Sequence, residues 1–175
     1  SALGQMERTL VIGADLRRPG LAKKCGLAAD HPGLSHFVSG VASLEECITE
    51  LKGPGIWVMP AGVIPPNPLE MISSKAFSNA LDSLKQQYDR ILIDSAPVQA
   101  VSDALVLASY SDAVVYVVKA DATPANAARK GINSILGTNP SLNGVVLNQL
   151  DTQKTNSYYK GGYYKHGNYY QTEEA

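Results

Sequence analysis

Short apolar runs rich in β-branched residues recur at residues 9–12, 56–59, 90–94 and 113–118, each bounded by Gly, Pro or Asp, and residues 144–147 add a fifth. Runs of that length and composition predict strands buried on both faces. Between them, residues 74–88, 102–109 and 125–136 place apolar side chains at helical spacing. Thr123 ahead of Pro124 marks a helix start, with proline at the first helical position. Alternation of the two kinds of segment predicts an α/β fold: a mostly parallel central sheet flanked by helices and covered on both faces. In such sheets ligands settle beyond the carboxyl ends of the strands. Asp15 follows the first strand and Asp94 ends the third, so both are expected on that edge.

Past Asp151 the pattern stops. Residues 154–175 have almost no aliphatic side chains but hold six of the nine tyrosines, Tyr158, Tyr159, Tyr163, Tyr164, Tyr169 and Tyr170. A Gly, Lys, Asn and Gln background cannot bury enough surface to offset ordering, so a flexible tail is expected at 154–175 behind one folded domain at 1–153. Stacking on nucleic acid is one use for such aromatics, but Lys154, Lys160 and Lys165 are too few for a basic track. Acceptance of phosphate on the tyrosines is the more specific reading.

The remaining composition narrows the field. Apolar residues make up 45% and charged residues 18% of 175, the proportions of a folded domain with a full core. A net charge of −1 gives no reason to expect nucleic acid or an anionic membrane surface as the main partner. Cys25 and Cys47 form no CxxC pair, suit a reducing compartment and are expected to be small buried hydrophobes. No apolar run approaches the roughly 20 residues of a membrane-spanning helix. Residues 1–6 lack the features of a targeting signal and read as a helix end, so the chain is expected to begin within a domain. His31, His36 and His166 have no partner pattern that suggests chemistry.

The segment Thr9-Leu-Val-Ile-Gly-Ala-Asp-Leu-Arg-Arg-Pro19 brings a carboxylate and two guanidinium groups to the expected edge, and it resembles the second acidic motif of bacterial tyrosine kinases. Arg90-Ile-Leu-Ile-Asp-Ser-Ala-Pro97 resembles their Walker B strand, and Pro60-Ala-Gly-Val-Ile-Pro-Pro-Asn-Pro-Leu-Glu70 their proline-rich segment. Ser102-Asp-Ala104, Gly144-Val-Val-Leu-Asn148 and the closing tyrosines fit the same pattern, so the resemblance spans nearly the whole chain. Phosphoryl transfer needs Mg²⁺ near the β and γ phosphates, and carboxylates at strand ends supply its outer shell. Asp94 is the first candidate for that role, against the commoner alternative that an Asp ending a strand caps the next turn. Asp15 suits magnesium or the tyrosine proton, and Arg17 and Arg18 suit phosphates, a neighbouring subunit's carboxylates or plain solvent exposure. Asp103, opening a helix, is expected to cap its free N–H groups.

The resemblance further implies that ATP and Mg²⁺ are the cofactors, that Asn148 reads the adenine edge, and that the tail tyrosines are phosphorylated in trans. It implies a ring-like homo-oligomer at the cytoplasmic face of the bacterial inner membrane, activated by a transmembrane chain-length regulator in cis or in trans and controlling export of capsule or exopolysaccharide. A tyrosine phosphatase is a further partner such a system admits. Two departures stand out: no GxxxxGK[ST] loop precedes Asp15, and Gly13 occupies a position where the family pattern has an acid. The missing loop implies that residues 1–175 alone are inactive, and the two departures together make a catalytically dead phospho-acceptor scaffold a rival; a second rival is an ATPase assembly switch like those that partition plasmids or place division sites, against which the tyrosine tail argues.

Overall fold

The computed structural model describes residues 7–51, 55–138 and 141–151. Along them run β1 (Thr9–Gly13), α1 (Leu21–Lys24), α2 (Leu34–Val38), α3 (Leu44–Cys47), β2 (Thr49–Glu50), β3 (Ile56–Met59), α4 (Pro68–Ile72), α5 (Lys75–Lys85), β4 (Arg90–Asp94), α6 (Asp103–Ser109), β5 (Val114–Lys119), α7 (Ala125–Leu136) and β6 (Leu142–Asn148). All five expected strands form, and the three expected helices stand within a few residues of their predicted ends. Pro124 lies just outside α7 as its N-cap, not in the first turn. The short helices α1 to α4 and strand β2 span too few residues to show a period.

The expected α/β fold with a mostly parallel sheet forms, its strands standing in two groups. Four strands lie in the order β2-β3-β1-β4, and β5 and β6 form a separate pair. β1 is central and parallel to both neighbours, with Leu10 opposite Trp57 and Ile91, and Ile12 opposite Met59 and Ile93. β2 runs antiparallel to β3, and β5 runs parallel to β6.

One face of the four-stranded sheet builds the core. Leu10, Ile12 and Met59 are fully enclosed with Leu34, Ile72, Phe77, Leu81, Leu84 and Leu107 from the helices. Helix α5 supplies three of these because Phe77, Leu81 and Leu84 recur at i, i+4 and i+7, one apolar stripe. The Ser74 hydroxyl starts the helix by accepting the Phe77 N–H at 3.1 Å. Each buried side chain of this size stabilises the fold by about 1.5–3 kcal/mol.

The opposite face does not match the expected cover on both sides. Val11 shares that face with Leu92, 57% exposed, and strand pairing puts Ile56, 44% exposed, on it too; of the neighbouring set only Val58 is shut in. The base of the sheet is clamped by Arg8, whose guanidinium lies 5.1 Å from the Trp57 ring and 5.0 Å from the Tyr88 ring. The Arg8 carbonyl also accepts the N–H groups of Asp89 and Arg90, and Glu7 pairs with Arg90. That clamp fixes where β1 begins beside β4, and so which residues emerge together at the far edge.

Candidate functional site

At that far edge Gly13 is in register with Asp94, and the Ala14 N–H donates to the Asp94 carbonyl at 2.7 Å. The two adjacent strands therefore deliver Asp15 and Asp94 to neighbouring positions. The Asp15 Oδ1 accepts the backbone N–H groups of Arg17 at 3.1 Å and Arg18 at 2.9 Å, closing a tight turn. Both bonds fall on one oxygen, which leaves Oδ2 available. The Asp94 side chain is exposed, and among the described residues its carboxylate accepts no hydrogen bond from the turn that follows. Turn capping is therefore not its role in this fold.

Arg17 is tied down. Its Nε donates to Asp103 Oδ2 at 2.7 Å and its terminal nitrogen donates to Oδ1 at 3.0 Å, a two-pronged contact spanning 86 positions of sequence. Asp103 is 1% exposed and the Arg17 side chain 39%. The hydrogen bond to Asp103 pushes the arginine still further above its ordinary range, so its charge is permanent. This corrects two expectations. Arg17 is not an open guanidinium awaiting phosphate, and Asp103 pairs with it instead of capping α6, whose N-cap Ser102 makes no side-chain bond. The signal that could have revealed Asp103 is a lone acid opening the otherwise apolar run Asp103-Ala-Leu-Val-Leu-Ala108, since buried acids are almost never unpaired. Arg18 is exposed, with no side-chain partner among the described residues.

Gly13 fills its position closely. A Cβ there lies 3.2 Å from the Ala61 amide nitrogen and 3.2 Å from Leu21, so the proline-rich segment and α1 both press on it. Asn148 ends β6, in the two-stranded sheet, whereas Asp94 ends β4 in the four-stranded one. Asn148 Oδ1 accepts the Gln149 N–H at 2.9 Å, and Gln149 takes a left-handed φ of 56°. That oxygen shapes a turn, leaving the amide NH₂ as the group able to meet a ligand.

Among the described residues no cluster of three or more His, Cys, Asp or Glu side chains is placed to hold a metal. Two carboxylates at adjacent strand ends suit Mg²⁺, which keeps several waters and takes one or two protein carboxylates beside phosphate oxygens. The other candidates carry structure. His36 Nδ1 accepts the Gly33 N–H at the start of α2, and His31 contacts the Pro32 carbonyl and the Thr49 hydroxyl. Cys47 is enclosed, with burial pushing its thiol up, whereas Cys25 is only half-buried. Tyr158, Tyr159, Tyr163, Tyr164, Tyr169, Tyr170 and His166 lie outside the described residues.

No family model matches the chain. It is 33% identical over 144 residues to "Tyrosine-protein kinase ptk" of Acinetobacter johnsonii, covering 82% of this chain and 20% of that protein. To "Tyrosine-protein kinase CpsD" of Streptococcus agalactiae it is 30% identical over 144 residues, covering 82% of this chain and 63% of the relative. The chain thus spans between a fifth and just under two thirds of these curated relatives. Among solved structures, the VpsO kinase domain superposes with a TM-score of 0.79 at 39% identity, over 86% of this chain and 74% of that one. The septum site-determining protein MinD of Pyrococcus horikoshii, complexed with Mg-ADP, shares the fold at a TM-score of 0.61 and 20% identity, over 81% and 58% of the two chains.

Proposed function

The chain belongs to the bacterial tyrosine kinases, and from that premise we propose that it is the greater part of a kinase domain that transfers the γ-phosphoryl group of ATP to tyrosines of residues 154–175 in a neighbouring subunit. The observation that carries this reading is the pair Asp15 and Asp94 at the carboxyl ends of adjacent strands, with one oxygen of Asp15 and the whole Asp94 carboxylate uncommitted.

Bound Mg²⁺ would supply positive charge against the charge that develops on the phosphates during transfer. Asp94 would hold its water shell. Asp15 offers Oδ2 to a second water of that shell or to the tyrosine proton, and it cannot swing away because two amides hold Oδ1. Arg18 supplies the open guanidinium for phosphate, while Arg17, gripped by Asp103, keeps the turn rigid. The NH₂ group of Asn148 reads an adenine acceptor. Residues 1–153 form the nucleotide-binding domain and 154–175 the acceptor tail. The whole assembly is a ring of kinase subunits at the cytoplasmic face of the inner membrane, switched by a transmembrane regulator of polysaccharide chain length, with a tyrosine phosphatase to reset it.

Gly13 favours a second reading, the inactive scaffold, because the fold packs backbone and Leu21 where a second carboxylate would stand. Labelled phosphate transfer with the full-length kinase separates the alternatives. Label in the six tail tyrosines supports the kinase, ATP hydrolysis without transfer supports an assembly switch, and neither supports a scaffold. Asp94→Asn should cut tail labelling at least tenfold to a hundredfold, the usual loss when a metal's surroundings are altered, while circular dichroism stays unchanged. Full labelling in that folded variant removes Asp94 from the site.

A further inference from the structure

No step of the transfer proposed above uses the proline-rich segment at 60–70, which joins β3 to α4. Its first turn is pinned in place. The Pro60 carbonyl accepts the Leu34 N–H at 2.8 Å and the Ala61 carbonyl accepts the Ser35 N–H at 2.9 Å, while Pro60, Ala61 and Pro65 are all buried. Gly62 takes a left-handed φ of 76°, and a Cβ there would stand 2.5 Å from His36 Nδ1 and 2.6 Å from Ser35 Oγ, so the turn admits no side chain at that position. From this fixed turn Val63 and Ile64 project into water, each 60% exposed. Two neighbouring β-branched side chains, stiff at χ1 and held on a proline-bounded turn, lose little freedom when another group packs on them.

The turn stands beside the carboxylate edge. The Ala61 amide nitrogen presses on Gly13, and Val63 and Asp15 each lie two residues further on, so their Cα atoms are within roughly 20 Å of each other. We infer that Val63 and Ile64 form a docking surface for the acceptor segment: one tyrosine ring of residues 154–175 from a neighbouring subunit rests on them while a tyrosine of the next pair meets Asp15 and Asp94. The inference rests on the transfer reading above, which brings that segment to this edge.

Chemistry and spacing select this occupant. Residues 154–175 hold one aliphatic side chain, Ala175, so the six tyrosines are the apolar surface by which the segment is held. A phenol packs its ring on aliphatic groups and leaves its hydroxyl in water. The tyrosine pairs begin at Tyr158, Tyr163 and Tyr169, and an extended chain covers about 16–22 Å between successive pairs, the reach from the turn to the carboxylates. A segment with a single pair gives up its anchor in order to react.

A fluorescent peptide of residues 154–175 tests the surface by anisotropy, without nucleotide, on full-length kinase whose own six tail tyrosines are replaced by serine so that its tail does not compete. Val63→Ser together with Ile64→Ser should weaken peptide binding by about tenfold or more, whereas Leu136→Ser, which removes a 49% exposed aliphatic side chain from α7, should leave it unchanged. A peptide with phenylalanine at all six tyrosine positions should bind as well as the natural one, and a peptide with serine at all six should not bind. With ATP present, the double variant should raise the KM for the peptide by the same factor at unchanged kcat. Unchanged affinity in the double variant overturns the proposal even where the tail is labelled. Loss of binding with the phenylalanine peptide, a fall in kcat at unchanged KM, or no peptide binding by the parent kinase overturns it as well. A double variant that sediments as a smaller oligomer but binds the peptide normally gives the surface to subunit contact instead, again against the proposal. Binding that depends on Val63 and Ile64 with no phosphate transferred supports the docking surface and sinks the kinase reading.

Discussion

At the scale of single residues the informative pair is Arg17 and Asp103. The carboxylate is enclosed and the guanidinium is partly in water, so the two are not equivalent to remove. Arg17→Ala strands a buried carboxylate and is expected to lower the urea midpoint at unchanged slope. Asp103→Asn keeps the shape and returns the arginine to solvent, and should cost less, about 1–3 kcal/mol. Equal losses would mean that the buried carboxylate is not what the contact protects. Gly13 is tested in the same way. Its neighbours include a backbone amide that cannot swing aside, so Gly13→Asp should destabilise the domain by about 1–3 kcal/mol. If the absent carboxylate matters for transfer, the same variant labels its tail faster in the full-length kinase despite the lost stability. A stable Gly13→Asp protein would show that the packing there yields.

Elements are set by local chemistry, and α3 shows how narrowly. It is only four residues long, and Ser43 and Glu46 brace its first turn reciprocally: the Ser43 N–H donates to Glu46 Oε2 at 2.7 Å and the Ser43 hydroxyl accepts the Glu46 N–H at 3.3 Å. The Ser43 backbone bond, and then its hydroxyl, hold the Glu46 carboxyl below the usual carboxylate range. A lowered folded-state value means the ionised form is favoured by folding. Its contribution is therefore present above the ordinary glutamate range and lost as pH falls through the lower folded value. Glu46→Gln should flatten that part of the acid limb of a stability curve, and an unchanged acid limb would show that the brace does not matter for α3.

On the scale of the whole molecule, the proposed nucleotide site is incomplete within these residues. Asp15, Asp94 and Arg18 would offer charge to metal and phosphate under the proposed reading, but no GxxxxGK[ST] loop in these residues offers the wrap of backbone N–H groups that phosphates favour. Residues 1–175 alone should therefore bind ATP·Mg²⁺ only weakly, with a dissociation constant well above the micromolar range, and calorimetry showing micromolar binding would contradict this.

Sequence alone located β1, β3, β4, β5 and β6, because a short β-branched run between breakers is a local property, and it put Asp15 and Asp94 at strand ends for the same reason. The polar composition of residues 154–175 likewise set that segment apart without any coordinates. What required the tertiary structure was everything decided by distance through space. Arg17 meets Asp103 across 86 positions, Gly13 meets Ala61 and Leu21, and Asn148 stands in a different sheet from Asp94. Periodicity says that a strand is apolar on both faces but not what lies against each face. Only the packed chain shows that Leu92 and Val117 face water while Leu10 and Ile12 are enclosed, because burial depends on which distant segments arrive.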